Sequence, residues 1–328
     1  MYQMMSLPLY SGTFQEYDSW RDLGQELERL GCDGIEGVWG GEDLPKDLPA
    51  ELILGYHLIF YPDWLDFYRD DRAALKQKFG SLEAVASFYG GLGPDTLLEQ
   101  YRADLRRAGN LGARYVVFHV SDVSLEEGYT YRWLPTNQEV IDAAVEVVNL
   151  ILGEERWPFE FLVENQWWPG FTFTEPEETA RLLEGIRFAG KGILLDTGHL
   201  MNACTELKTE AEGADYIRSM LNRHGSLAKW VRGVHLHQSL SGAYVKAHTG
   251  LLPAGLPEDY GERFGVSYQH ILQIDQHRPW TDPAILPVLE QIGPRYLTHE
   301  LSSRGRMSRA EAMAAQARLF QQGGKMGV

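Results

Sequence analysis

The stretch Gly192–His199 has the sequence GILLDTGH, in which an apolar run stops at a carboxylate and a histidine follows three residues later. Six other stretches also place an acid or a histidine where an apolar, β-branched run stops. They contain Tyr56-His57, Phe118-His119, Val163-Glu164-Asn165, Val234-His235-Leu236-His237, Ile274-Asp275-Gln276-His277 and His299-Glu300. A parallel barrel gathers the carboxyl ends of its strands at one mouth. The spacing therefore predicts a barrel in which these side chains converge.

Short β-like runs alternate with longer amphipathic segments along the chain. The candidate strands are Leu7–Ser11, Gly34–Val38, Ile53–Ile59, Tyr115–Val120, Phe159–Glu164, Gly192–Asp196, Val231–His237 and Tyr296–Glu300. The candidate helices are Trp20–Leu30, Asp95–Ala108, Asn137–Leu152, Glu177–Phe188, Asp282–Ile292 and Ser308–Gln321. Alternation of this kind predicts an α/β fold, a (β/α)8 TIM barrel that forms a single domain over residues 1–328.

Two connections, at about residues 60–94 and 238–273, are too long for ordinary loops. Both leave from the mouth side, where insertions build substrate pockets or lids. The first contains the aromatic residues Tyr61 and Trp64, and Trp167 and Trp168 follow Glu164. We interpret these four aromatic side chains as walls for a flat substrate. The alternative for each is structural packing over the barrel rim.

Composition limits the class of protein. The chain has 328 residues, 44% apolar content and two distant cysteines, Cys32 and Cys204. It contains no apolar segment of membrane-spanning length and no recognisable secretion signal at its N-terminus, which favours a cytoplasmic enzyme. The formal net charge is −16 and no run of Lys or Arg occurs, which disfavours duplex nucleic acid and anionic membranes as partners.

The strand-end acids and histidines are candidate metal ligands. Glu164 and Asp196 end apolar runs, where a carboxylate must be solvated, paired or metal-bound. His235 and His237 share one face of a strand, and the sequence does not rank them. Each of these residues alone could be a satisfied polar residue of the core. Together, without cysteine, they suit zinc, manganese or iron.

Several other polar residues are expected to play no part in a site. We predict His224, His248 and His270 to be surface histidines. His299, on the opposite face of its strand from Glu300, is expected to be structural. Asp122, Glu126 and Glu127 are expected to form a solvated acidic loop. No motif for a serine or cysteine nucleophile is present.

The set of motifs resembles the endonuclease-IV-like branch of the xylose-isomerase-like TIM barrels, the AP endonuclease family 2. The broad superfamily has a Glu after strand five, Asp-x-x-His after strand six, His after strand seven and Glu at strand eight. The branch adds a His after strand three, a His after strand four and an Asp-x-His before strand eight. The matching residues here are Glu164, Asp196 with His199, His235 or His237, Glu300, His57, His119 and Asp275 with His277.

The resemblance implies up to three divalent ions, with zinc expected first and manganese or iron as alternatives. It assigns His57, His119 and Glu164 to the first ion. It assigns Glu164, Asp196, His235 and Glu300 to the second. It assigns His199, Asp275 and His277 to the third. Glu164, Asp196 and Glu300 are then the catalytic carboxylates, and the implied reaction is phosphoester hydrolysis by metal-activated hydroxide.

The chain also departs from the branch. His237 competes with His235, and Gln238 stands where relatives often have an acid. The connection after strand seven is unusually long. The loop that enters DNA in endonuclease IV is replaced by the aromatic segment 60–68. This segment and Trp167-Trp168-Pro169-Gly170 resemble the cobamide-remodelling phosphodiesterases of the superfamily, which cut the nucleotide loop of corrinoids.

The expected function is therefore that of a metal-dependent phosphodiesterase acting on a bulky, cofactor-like phosphoester such as a cobamide. The main alternative is a sugar or sugar-phosphate isomerase or epimerase that uses one metal ion. An endonuclease for abasic sites in DNA is a further alternative. A non-enzymatic binding module is disfavoured, because so many ionisable groups in one mouth repel each other or lose solvation.

Overall fold

Eight parallel strands close into a barrel in which each strand pairs with its neighbours in sequence and β1 pairs with β8. The computed structural model describes residues 1–322, and residues 323–328 of the predicted domain lie outside them. The strands are β1 Tyr2–Leu9, β2 Gly34–Trp39, β3 Ile53–His57, β4 Tyr115–His119, β5 Glu160–Glu164, β6 Lys191–Asp196, β7 Val231–His235 and β8 Tyr296–His299. The predicted (β/α)8 TIM barrel is confirmed.

Helices surround the barrel and follow the strands in sequence. The first eight are α1 Ser11–Phe14, α2 Trp20–Leu30, α3 Leu65–Tyr68, α4 Arg72–Phe79, α5 Leu82–Tyr89, α6 Pro94–Asn110, α7 Leu125–Thr130 and α8 Asn137–Leu152. The others are α9 Pro176–Gly185, α10 Thr197–Asn202, α11 Glu210–His224, α12 Gly242–His248, α13 Tyr260–Ile274, α14 Leu286–Ile292 and α15 Arg306–Gln322. None of the helices in residues 1–322 combines the length and the apolar character needed to cross a membrane.

The core has two layers, because each strand buries one face inside the barrel and the other under the helices. The inner layer is a compact cluster formed by Met4, Leu54, Tyr115, Val117, Leu162, Leu194 and Tyr296. Gly55 gives Tyr115 its space, since a Cβ atom at Gly55 would lie 2.4 Å from the Tyr115 ring. The outer layer is the large apolar cluster between strands and helices.

The start of β1 and the end of β7 differ from the ranges predicted from the sequence. β1 begins at Tyr2, five residues before the predicted start, because residues 2–5 pair with residues 296–299 of β8. β7 ends at His235, although the Leu236 N–H still donates to the Thr298 carbonyl at 2.8 Å. His237 and Glu300 therefore stand just beyond strand ends, on the mouth side.

The two long connections contain helices rather than open loops. Three helices, α3 to α5, lie between β3 and α6, and α12 and α13 follow β7. Helix α13 contacts α7 across the mouth. The barrel thus has a helical roof above the carboxyl ends of its strands.

Candidate metal centre

Ten acid and histidine side chains meet at the carboxyl ends of the strands, in three adjoining groups. The first group is His57, His119 and Glu164. The second is Glu164, Asp196, His235 and Glu300. The third is His199, His237, Asp275 and His277. Within each group the potential ligand atoms lie within 4.8 Å of one another, and Glu164 belongs to two groups.

In the first group, two imidazoles face the same carboxylate. His57 Nδ1 lies 2.8 Å from the Leu58 carbonyl oxygen, which can only accept, so that nitrogen carries the proton. The unprotonated Nε2 then lies 2.9 Å from His119 Nε2 and 3.4 Å from Glu164 Oε2. His119 Nε2 is 3.1 Å from the same oxygen. The backbone at Leu58 therefore turns the lone pair of His57 towards the group.

The second group is supported from inside the barrel by Glu36, a residue of β2 that the sequence analysis missed. Glu36 is fully buried, and its Oε1 lies 2.8 Å from His235 Nε2. Its other oxygen accepts hydrogen bonds from Tyr115 and Thr298. Because Glu36 accepts the Nε2 proton, His235 Nδ1 is free to face Glu300 Oε2 at 2.8 Å. Carboxylates commonly orient metal-binding histidines in this way.

The third group joins residues that follow β6, β7 and α13. His199 Nε2 and His277 Nε2 each lie 3.3 Å from Asp275 Oδ2. Asp196 caps α10 by accepting the His199 backbone N–H at 2.6 Å, which links this group to the second. His277 has a φ of 45°, a left-handed backbone that side chains other than glycine rarely adopt.

The sequence left open whether His235 or His237 is the candidate ligand that follows strand seven. The positions of the two rings separate them. The structure places His235 in the second group and His237 in the third. Both rings point into the mouth, but only His235 contacts Glu300. The two histidines therefore do not compete for one position.

Many polar atoms in these groups lie close together without forming hydrogen bonds to one another. Within residues 1–322, several fully buried ligand atoms have no hydrogen-bond partner of acceptable geometry. They are both oxygens of Glu164, Glu300 Oε2, Asp275 Oδ1, His235 Nδ1, His237 Nδ1 and His277 Nε2. Buried polar atoms are normally paired, and a concentration of exceptions marks a position for an ion. The donor set, with histidine and carboxylate only, fits divalent ions such as zinc.

Protonation states in the centre depend on the same contacts. Burial alone would raise the pKa of Glu164, but His119 and His235 hold it well below its ordinary value. Burial lowers the pKa of His119 and of His277 below the ordinary value of an imidazole. Burial would also lower the pKa of His199, yet Asp196 and Asp275 raise it. A metal ion would displace that proton, so ion binding must weaken as the pH falls.

A chamber of about 460 Å³ lies over the centre, between the barrel mouth and the helical roof. His57, His119, His199, Asp275, His277 and Glu300 form part of its floor. Its walls are mainly aromatic and aliphatic, including Phe60, Tyr61, Phe88, Trp167, Trp168, Phe264, Tyr268 and Ile271. No lysine or arginine of residues 1–322 lines it. A ligand would thus meet apolar surface above and candidate metal ligands below.

Three of the four predicted wall residues line this chamber: Tyr61, Trp167 and Trp168. The prediction for Trp64 is wrong. Trp64 is 3% exposed, and its indole Nε1 donates to the Ser121 carbonyl at 2.7 Å. The ring is held inside the protein by this bond, so Trp64 supports the rim without facing a ligand.

Two of the predicted surface histidines are also buried. His224 stacks on Phe173 with 3.9 Å between ring centroids and contacts Thr179 through Nε2 at 2.9 Å. His270, also buried, stacks on Tyr129 beside the chamber. His248 is exposed, as predicted. Polar neighbours in sequence do not predict the exposure of these two rings, because helices α11 and α13 turn them inward.

The predicted acidic loop is only partly solvated. Asp122 is buried and accepts the backbone N–H groups of Trp64 and Leu65, each at 2.8 Å. Glu127 is buried in the capping box at the start of α7. Glu126 alone is exposed. His299, predicted to be structural, is buried and contacts Gln3 and Gln316.

The family model of the xylose isomerase-like TIM barrel matches residues 25–322, nearly the whole chain. The chain belongs to this family. No curated protein matches the sequence significantly.

Several solved structures share the fold at low sequence identity. Endonuclease IV from Thermus thermophilus is 16% identical with a TM-score of 0.51, and the match covers 98% of this chain and 100% of that one. A D-tagatose 3-epimerase-like protein is 15% identical, with a TM-score of 0.51 and 98% coverage of both chains. Mannonate dehydratase from Streptococcus suis serotype 2 is 13% identical, with a TM-score of 0.52 and coverage of 100% and 96%. These neighbours are enzymes of different reaction classes, so the likeness establishes the fold alone.

Proposed function

We propose that this family member is a metal-dependent phosphodiesterase that cleaves a bulky phosphoester. The observation that carries the proposal is the presence of three adjoining ligand groups, the first two of which share Glu164. Phosphoryl transfer benefits from several cations, because charge develops on the attacking, leaving and equatorial oxygens together. An enzyme that uses one ion needs only the second group.

The residues of the centre have distinct roles in this proposal. Divalent ions bound here, zinc first among them, would polarise the phosphoryl group and lower the pKa of water. Glu164 fixes the separation of the first two groups by offering one oxygen to each side. Glu36 and the Leu58 carbonyl hold His235 and His57 in the tautomers that present a lone pair. Because these supports are buried, the ligands are preorganised before substrate arrives.

The lining of the chamber indicates which class of substrate fits best. Its walls are apolar and no lysine or arginine of residues 1–322 lines it, so a group bound there should be large, flat and uncharged. A phosphodiester carries one negative charge and a phosphomonoester close to two, which makes the diester the better match. The volume suits one arm of a cofactor-sized molecule, and the nucleotide loop of a cobamide is the first candidate. Duplex DNA is disfavoured as a partner by the net charge of −16.

The alternative of a single-metal sugar isomerase uses the second group alone. His57, His119, His199 and His277 would then have to bind sugar hydroxyls. Beyond the floor, the mainly apolar walls of the chamber offer those hydroxyls few further partners. These observations favour hydrolysis over isomerisation.

The test uses one zinc-loaded preparation on separate substrates. The substrates are cobamides, bis(p-nitrophenyl) phosphate, p-nitrophenyl phosphate, abasic-site duplex DNA, and ketohexoses with their phosphates. We expect cleavage of the diesters, weak or no cleavage of the monoester, and no epimerisation. Epimerised sugar without cleavage of any phosphoester would refute the proposal. Rapid nicking of the abasic duplex would show that the substrate is nucleic acid.

A further inference from the structure

His237 belongs to the third group but, unlike His199, Asp275 and His277, does not line the chamber. Its side chain is fully buried, and its Nε2 is 2.8 Å from Asp196 Oδ2. Its Nδ1 has no hydrogen-bond partner within residues 1–322. One ring nitrogen therefore has a partner on the protein and the other has none, in a place that bulk water does not reach.

The ring is also within reach of the third group. Its centroid lies 4.2 Å from that of His277 and 5.7 Å from that of His199. A nitrogen of His237 lies within 4.8 Å of the ligand atoms of His199, Asp275 and His277. The resemblance to the endonuclease-IV-like branch implies only three protein ligands for this position. This chain supplies four.

We propose that His237 is a fourth protein ligand of the third ion and makes that position a closed, slowly exchanging site. Four protein ligands complete a tetrahedral zinc site, whereas three leave a position open. The first group, with three ligands, then keeps the open position facing the chamber, which His57 and His119 line. This inference rests on the metal centre of the proposed function, though not on the reaction.

Gly198 makes the position of the ring possible. A Cβ atom on Gly198 would lie 2.1 Å from His237 Cε1 and 2.3 Å from its Nδ1. Gly198 is not in a left-handed conformation, so alanine is compatible with its backbone. Gly198→Ala would therefore displace the imidazole without removing it. That provides a second variant, independent of any loss of the His237 side chain.

The first experiment measures zinc release from the fully loaded, full-length protein into a colorimetric chelator. We expect a slow phase of two ions in the wild type, because the second group also has four protein ligands. His237→Asn and Gly198→Ala should both accelerate the release of one of these two ions by at least ~10-fold, the scale seen when a metal site loses supporting contacts. His224→Asn is the matched control, because it removes a buried histidine outside the centre. An unchanged slow phase in His237→Asn would overturn the inference.

The second experiment locates the ions by anomalous diffraction at the zinc edge from zinc-saturated crystals. We expect an ion at the third group within bonding distance of a His237 nitrogen. A third ion that His237 does not touch, or no ion at that position, would overturn the inference. Loss of the second ion in place of the third in His237→Asn would instead make His237 a positioning residue for Asp196. Slow zinc release without phosphodiester cleavage would reject only the proposed function.

Discussion

Glu164 ends β5 and is the only one of the ten converging side chains of residues 1–322 that belongs to two groups. Its carboxylate is 1% exposed and lies within 3.4 Å of nitrogens from His57, His119, His199 and His235. The four histidines come from four different strand ends. Any change at this residue therefore disturbs several parts of the centre together.

Glu164→Gln should reduce turnover of a diester substrate by more than about 1,000-fold, because an amide is a poor ligand at two ion positions at once. The fold should persist, since the mouth of a barrel contributes little to its core. Steady-state kinetics, bound-zinc analysis and circular dichroism would measure these effects. His57→Gln provides the comparison, because it belongs to one group only. Near-wild-type activity with full zinc content in Glu164→Gln would contradict the assignment.

Glu36 acts through His235, so its effect should appear in ion affinity first. Glu36→Gln removes the charge that holds the His235 Nε2 proton, and we expect zinc affinity to fall by about 10- to 100-fold. Competition with a chelator of known affinity would measure this change. Tyr115→Phe is the control, since it removes a hydroxyl from the same carboxylate and leaves the contact with His235. Equal affinities in Glu36→Gln and wild type would exclude this role.

Residues at strand ends could be predicted from the sequence, and residues supporting them could not. An acid or a histidine that terminates an apolar run has a position fixed by the barrel. Glu36 lies inside β2, where its only signal is a lone acid in GIEGVW, residues 34–39. Its partners His235 and Thr298 are 199 and 262 residues away, so pairing by sequence proximity cannot reveal them.

Helix α13 forms much of the roof, and its contribution should be to substrate binding. Tyr268 lines the chamber and is 50% exposed. Tyr268→Ala should raise KM for a bulky aromatic diester by roughly 2- to 12-fold, the equivalent of one lost aromatic contact. We expect kcat and zinc content to stay unchanged. Val266→Ala, an exposed position on the same helix outside the chamber wall, is the control. A KM change of equal size in both variants would argue against a binding role.

The backbone at the start of α3 is held by hydrogen bonds to the buried side chain of Asp122. Burial beside Asp63 raises the pKa of Asp122 to about 7. An unfolded aspartate loses its proton near pH 4, so between about pH 4 and pH 7 the folded state holds the extra proton. The contribution of Asp122 to stability is therefore complete below about pH 4 and is lost as the pH rises to about 7.

Asp122→Asn stays neutral and keeps an oxygen for the Trp64 and Leu65 N–H groups. We expect the unfolding free energy of the wild type, relative to this variant, to fall by roughly 1–4 kcal/mol between about pH 4 and pH 8. Urea unfolding of metal-free protein would measure it. Glu126→Gln, at an exposed acid in the same region, controls for the loss of one charge. A pH-independent difference would show that Asp122 is ionised throughout.

Hydrophobic periodicity located the eight strands, because each is covered on both sides by apolar layers. It did not locate the helices of the roof. Helix α13 packs against α7 and α12, and one side of it lines the chamber. The inward turn of His270 and the burial of Asp122 depend on that same roof. Its contacts arise from tertiary packing between two insertions, which local sequence does not encode.

The whole barrel should be less stable without its ions. Glu164, Asp196, Asp275 and Glu300 place four carboxylates in one mouth. Binding to the folded state alone stabilises it by about 2.7 kcal/mol per site at roughly 100 times the dissociation constant. We expect a chelator to lower Tm and added zinc to restore it in proportion to the logarithm of its free concentration.

Thermal unfolding followed by circular dichroism at several zinc concentrations would measure this dependence. Magnesium at the same ionic strength is the control, because it prefers oxygen ligands and should not restore Tm. The effect should weaken at acidic pH, where protons compete for the histidines. An identical Tm with chelator and with zinc would rule out coupling between ion binding and folding.

Gly198 and His237 occupy one shared space, and this has a consequence for inheritance within the family. A Cβ atom at residue 198 would overlap the ring of His237. A lineage that acquires a side chain at position 198 must therefore lose or move the imidazole at position 237. A lineage that gains the imidazole at position 237 must already have glycine at position 198. The two positions are expected to change in a fixed order, with glycine before histidine. The pair would then mark a single branch of descent more reliably than either residue does alone.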